Sequence, residues 1–123
     1  MALKKELVAG GVANSTADAF GGTVTTGLTA FAGGGQASAT PLTGVSNVVA
    51  VCATLADSVL LPKADKGDEI WVRNNGAASC NVFPRTGGAI NGAAADAAFA
   101  VAAAKTAVFK CFGADTWLAS LSA

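Results

Sequence analysis

Apolar and polar positions alternate most cleanly over Glu69-Ile70-Trp71-Val72-Arg73-Asn74, where Ile70 and Val72 share one face and Glu69, Trp71 and Arg73 share the other. A period of two predicts a half-buried β-strand. Asn74-Asn75-Gly76 supplies residues that tolerate positive φ, and strand character resumes from Ser79 to Phe83 before Pro84. The pattern therefore predicts a hairpin whose turn runs from Asn74 to Ala78. A second alternating run, Thr106 to Phe112, is turned by Gly113-Ala114-Asp115 and followed by a returning strand from Thr116 to Leu121. Earlier in the chain, the Val-rich stretch 47–54 and the short run from Ser58 to Leu61, stopped by Pro62, read as two more strands, with a polar turn over Lys63 to Asp68. Ala93 to Ala104 is ambiguous. Alanine favours helix, but large residues are missing at helical spacing, whereas Phe99 and Val101 among small neighbours fit a loop followed by a short strand. Seven or eight short strands with regular turn signals predict an all-β domain, a small antiparallel β-sandwich or barrel of jelly-roll type.

The N-terminal third is patterned differently. No charged residue occurs from Ala19 through Ala56, and eight of the fifteen glycines lie before residue 40. Disorder normally accompanies high net charge and few apolar residues. Here Phe20, Val24, Leu28, Phe31 and Leu42 recur along the glycine-rich backbone. This predicts an extended arm over residues 1–44, with those five residues as anchors on another protein surface, leading into a β domain over 45–123.

Composition narrows the function. Eight basic and eight acidic residues leave no formal net charge, so there is no general field to recruit nucleic acid or an anionic membrane. Histidine is absent, which removes the commonest general base and the commonest metal ligand. The apolar share is 52%, but it is carried largely by alanine, with Gly abundant beside it. Small residues bury little area apiece, and burial contributes only about 25 cal/mol per Å². Association with copies of the chain or with a larger assembly is therefore expected to supply part of the stability. Lys4 and Lys5 resemble the start of a signal peptide, but Leu7-Val8-Ala9 breaks at Gly10-Gly11. The longest apolar run, Val48 to Ala56, falls well short of the roughly 20 residues of a membrane span. A cytoplasm-like site of synthesis with reduced thiols is expected.

Candidate chemistry is sparse. Cys52, Cys80 and Cys111 are widely spaced and odd in number, which fits neither a zinc site nor a disulfide framework and predicts buried packing residues. The acidic cluster around Gly67, Asp65 to Glu69, lacks the ligand repeat and closing Glu of a calcium loop. Gly33-Gly34-Gly35-Gln36 lacks the Lys and hydroxyl residue of a phosphate cradle. Trp71 and Trp117 could stack on a sugar or base, though Trp in a small β domain is more often core or interface. No catalytic residue, metal ligand or cofactor is expected.

Two blocks resemble a known class of protein. The first is Thr29-Ala30-Phe31-Ala32-Gly33-Gly34-Gly35-Gln36-Ala37-Ser38-Ala39-Thr40 with Leu42. The second comprises Asp57-Ser58-Val59 with Leu61-Pro62, Asn81-Val82-Phe83-Pro84, Gly88-Ala89-Ile90-Asn91-Gly92, Ala98-Phe99, Lys105-Thr106 and Trp117. In order and spacing these resemble small virion proteins of tailed bacteriophages, over roughly residues 29 to 121. The resemblance implies a structural, non-enzymatic protein of the particle, assembled in the bacterial cytoplasm. Small size, zero charge and the arm then point to a capsid decoration or cement protein. Its expected partners are the major capsid protein and its own copies in a homotrimer, with neither nucleic acid nor membrane. The alternative is a tail or fibre component that recognises a host glycan through its tryptophans.

Overall fold

The computed structural model describes residues 23–32 and 35–122. Within them lie ten strands: β1 (Val24–Thr29), β2 (Thr40–Pro41), β3 (Ser46–Val51), β4 (Ser58–Leu60), β5 (Glu69–Asn74), β6 (Cys80–Phe83), β7 (Ala89–Ile90), β8 (Phe99–Val101), β9 (Thr106–Gly113) and β10 (Thr116–Leu121). A single 3-10 turn spans Gln36–Ser38. Among the described residues there is no α-helix, and no helix long and apolar enough to cross a membrane.

The strands form a six-stranded sheet in the order β1-β3-β5-β9-β10-β7 and a four-stranded sheet in the order β2-β4-β6-β8. Successive strands from β1 to β6 alternate between the two sheets. Within each sheet they pair in parallel, β1 with β3 and β3 with β5, β2 with β4 and β4 with β6. The chain thus winds through three stacked coils, each contributing one strand to each sheet. The antiparallel strands β9 and β8 then close the far end, pairing with β5 and β6. β10 returns along β9, and β7 lies parallel to β10 at the margin. All-β content and most strand positions follow the sequence pattern, including the β9–β10 hairpin and the short strand at Phe99–Val101. The sheets are mixed and the stacking is solenoid-like, in place of the expected antiparallel sandwich or barrel.

The difference is physical and local. Alternation and turn composition predict β5 and β6 as a hairpin, but they belong to different sheets. The segment between them is a corner. The buried Asn74 side chain accepts from the Gly76 amide at 2.9 Å and donates to the carbonyls of Ala78 and Val101 at 2.8 and 2.9 Å. Gly76 passes so close to the end of β3 that a Cβ there would lie 2.5 Å from the Cys52 nitrogen. An alternating strand has a defined inner face, but alternation does not name its hydrogen-bonding neighbour. A second corner, between β3 and β4, is held by Asp57, whose carboxylate accepts from the Ala53 and Thr54 amides and the Thr54 hydroxyl.

Part of the segment expected as an arm is built into the fold. β1 pairs with β3, β2 pairs with β4, and Leu42, expected as an anchor on a partner, is only 3% exposed in the domain's own core. A parallel coil recruits each segment to the one after it, so an uncharged, glycine-rich stretch with spaced apolar residues is satisfied within the fold. Residues 1–22 lie outside the described residues.

The core sits between the sheets. Val49, Val72, Phe109 and Trp117 from the larger sheet meet Val59, Leu61, Val82 and Val101 from the smaller in one apolar cluster. Valine dominates because β-branched side chains suit close-set strands, and Phe99 packs edge-on against Phe109 at 5.6 Å.

Candidate functional site

The strands of the larger sheet turn one face to the core and the other outward. Strand register assembles the outward face from residues far apart in sequence. Val24, Ser46, Trp71, Val108 and Ser120 stand side by side across β1, β3, β5, β9 and β10. The neighbouring rows are Val48, Arg73 and Thr106 on one side, and Glu69, Lys110 and Leu118 on the other. Phe112 and Leu118 are exposed, and Trp71 is 44% exposed. Exposed apolar and aromatic side chains interspersed with serine, threonine and charged ones have the mixed composition of an interaction surface.

The polar rim is held in place by local bonds. Trp71 Nε1 donates to Glu69 Oε1 at 2.8 Å, and Lys110 Nζ lies 3.9 Å from the other carboxylate oxygen of Glu69. Lys110 also donates to the Gly67 carbonyl at 3.0 Å. Arg73 donates through Nε to Asn75 Oδ1 and through Nη1 to the Ala104 carbonyl, both at 2.7 Å. The charged groups therefore lie against the domain and leave the Trp71 ring edge fixed by its own hydrogen bond. Beyond Val108 the face dips into an open groove of about 280 Å³, bounded by Lys110, Phe112, Leu118 and Ser120, with Asn91 at its margin. Asn91 donates to and accepts from the Ala119 backbone, at 3.2 and 2.8 Å, and so continues the β7 ladder with a side chain.

The five expected anchors are dispersed. Val24, 60% exposed, joins the row containing Trp71. Leu28 turns inward and packs against the core, as Leu42 does. Phe31 is exposed beside its bridge to Ser58, at a corner, and Phe20 lies outside the described residues. The two tryptophans also separate: Trp71 is at the surface and Trp117, 1% exposed, is core. Alternation alone places Trp71 opposite Ile70 and Val72. Val108, Phe112 and Leu118 are visible in the sequence only as members of alternating strands, because their coming together depends on pairing.

Other chemistry is structural. Cys52, Cys80 and Cys111 are buried free thiols. Burial, reinforced by the neighbouring Cys52 thiol, pushes Cys80 up to about 12, and burial raises Cys52 as well. Such thiols are poor nucleophiles at neutral pH. Asp96 accepts from Gln36 Nε2 at 2.9 Å and from the Gly87 amide at 2.7 Å, and these bonds, the Gln36 one foremost, hold its carboxyl below the usual range. Gln36 also donates to the Pro84 carbonyl, so this clasp ties the 3-10 turn to the loop before β8. Among the described residues no three Cys, Asp or Glu side chains gather as metal ligands.

No protein-family model, curated protein or solved structure matches the chain.

Proposed function

We propose that the protein is a non-enzymatic structural component of a tailed-phage particle, a decoration or cement protein that binds the outer capsid surface and stabilises the head. The observation that carries this reading is the outward face of the larger sheet, which gathers exposed Val24 and Trp71 in one row with Val108 and sets exposed Leu118 in the row beside it. The resemblance of the sequence blocks to small virion proteins is consistent with it. In this reading the face packs on the major capsid protein, the domain associates into a homotrimer, and the protein resides in the virion. The rim residues Glu69, Arg73 and Lys110 set orientation; a flat aromatic such as Trp71 supplies most of the energy in interfaces of this kind.

The test is co-sedimentation with phage shells lacking the native protein. Trp71→Asp and Leu118→Asp should each weaken attachment by about tenfold or more, with little change in melting because both side chains face outward. Attachment of both variants at wild-type strength would overturn the reading, and so would failure of the wild-type chain to bind shells.

The half-exposed Trp71, edge-held by Glu69 and flanked by Arg73 and Lys110, specifically favours the second reading, a tail or fibre component that stacks a host glycan on this ring. Quenching or shifting of Trp71 fluorescence by soluble host glycans, without attachment to shells, would select it.

A further inference from the structure

The chain holds two Asn-Gly pairs, Asn75-Gly76 and Asn91-Gly92. An asparagine followed by glycine carries its own reaction partner. The amide nitrogen of the next residue can reach the side-chain carbonyl carbon, and glycine has no Cβ to hinder the approach. Both asparagines are exposed, so exposure does not separate them. Their surroundings do.

At Asn75-Gly76 the nucleophile is tied up. The Gly76 amide donates to Asn74 Oδ1 at 2.9 Å, and the Asn75 amide donates to the Val49 carbonyl at 2.9 Å. Gly76 is also wedged against Cys52, with a Cβ position only 2.5 Å from the Cys52 nitrogen, so the peptide has no room to turn toward the Asn75 side chain. At Asn91-Gly92 the same atoms are free to move. The two residues form the centre of a tight turn, at φ 55° and 71°, closed by the Ala93 amide on the Ile90 carbonyl at 3.1 Å. A Cβ at Gly92 would meet nothing within 4 Å, and among the described residues the Gly92 amide donates to no acceptor. The two bonds from the Asn91 side chain to the Ala119 backbone are solvent-exposed, so water replaces them whenever this rung opens.

We propose that Asn91 is a site of spontaneous covalent modification, the Asn-Gly pair that the fold leaves able to convert. The Gly92 nitrogen gives its proton to a base in solvent and bonds to Asn91 Cγ. The Cγ–Nδ2 bond breaks, and Nδ2 leaves as ammonia with a proton from water, closing a cyclic imide. Water then adds to either imide carbonyl and opens the ring, giving aspartate or its isoaspartyl form. The sum is amide plus water to acid plus ammonia, with no change of oxidation state. Aspartate sets a charged oxygen where Nδ2 donated to the Ala119 carbonyl at 3.2 Å, and the isoaspartyl form adds a methylene to the backbone. Either product unfastens the turn after β7 from β10 and places negative charge at the margin of the groove bounded by Lys110. This inference stands apart from the proposed role in the particle.

Incubation of the native wild-type protein in warm, mildly alkaline buffer, followed by trypsin and mass spectrometry, tests it. Cleavage after Arg73, Arg85 and Lys105 puts Asn75 and Asn91 on separate peptides, and Asn91 is the only asparagine on its own. Asn91 should convert at least about fivefold faster than Asn75, whose attacking amide must first give up its hydrogen bond. In urea the two rates should draw level. The acidic product, isolated by anion exchange, should exchange its residue-91 amide at least about tenfold faster than the unconverted protein. Conversion at Asn91 no faster than at Asn75 in the native protein, including none at either, would overturn the proposal. A difference that survives in urea would overturn it too, since the fold would then not be its cause, and unchanged exchange at residue 91 in the product would refute the unfastening.

Discussion

Replacing Asn74 by Ala removes the side chain that holds the corner between β5 and β6 and leaves its partners without replacement. The bond to the Val101 carbonyl is buried, and an acceptor left unpaired there costs about 2 kcal/mol. The Gly76 amide and Ala78 carbonyl are only partly buried, so water can reach them, and each loses about 1 kcal/mol. The expected destabilisation is about 4 kcal/mol, a large share of the roughly 5 to 15 kcal/mol that holds a domain together. For a chain of this length that corresponds to a fall in melting temperature of about 15 °C. Asn75→Ala is the control: Asn75 is exposed and its side chain accepts from Arg73 at the surface, so its cost should stay within about 0.5 kcal/mol. Thermal unfolding of the two variants, followed by circular dichroism, measures both. If Asn74→Ala melts within a few degrees of Asn75→Ala, the corner is not held by this side chain, and the account of why β6 leaves the larger sheet fails.

Val72→Asp, which buries an unpaired charge at a fully enclosed site, should abolish cooperative unfolding, whereas Arg73→Asp on the outward face should shift melting only slightly; equal effects would contradict the register of β5. The raised Cys80 value means that the native state holds its thiol proton more tightly than the unfolded chain. The stability this contributes is intact below about pH 9 and is lost as pH rises toward about 12, at up to roughly 1.4 kcal/mol per pH unit; Cys80→Val should flatten that alkaline limb in pH-dependent melts. Asp96 has the opposite sign. Its lowered value means stability that is present above the ordinary carboxylate range and lost as pH falls through the native value, so Asp96→Ala should lower stability at neutral pH and show a shallower acid limb. Trp71→Phe should leave a blue-shifted emission resistant to acrylamide from Trp117, and Trp117→Phe a red-shifted, readily quenched one from Trp71; similar quenching of both would refute their assignment to core and surface.

Much of the domain is legible in the sequence because period-two alternation is a local property. A strand with Ile70 and Val72 on one side and Trp71 and Arg73 on the other must hide one side and show the other, whatever its neighbours. The returning pair β9 and β10 is equally legible, since a short turn leaves two alternating strands nowhere to go but against each other. The corners are not. Asn74-Asn75-Gly76 reads as a hairpin turn by composition, and only the packing of Gly76 against Cys52 and the reach of Asn74 to the distant Val101 make it a bend between sheets. Leu42 reads as an anchor for a partner because spaced apolar residues along glycine-rich backbone carry no mark of whether they bury at home or abroad.

The sequence by itself determined that the chain is built of short strands, which face of the strand at Glu69–Asn74 is apolar, and that its three cysteines are buried. Those properties follow from side-chain size, branching and spacing, which are fixed before any two strands meet. Tertiary structure alone decided which strands are neighbours: parallel pairing of β1, β3 and β5, each a full coil further along the chain, and antiparallel pairing of β9 with β5 and of β10 with β9 bring Val24, Trp71, Val108 and Leu118 onto one face. Parallel pairing needs a crossover through the other sheet, and the free energy of that crossover depends on both sheets packing at once over a shared core. No stretch of residues carries that term on its own, so the interaction face exists only once the coils have stacked.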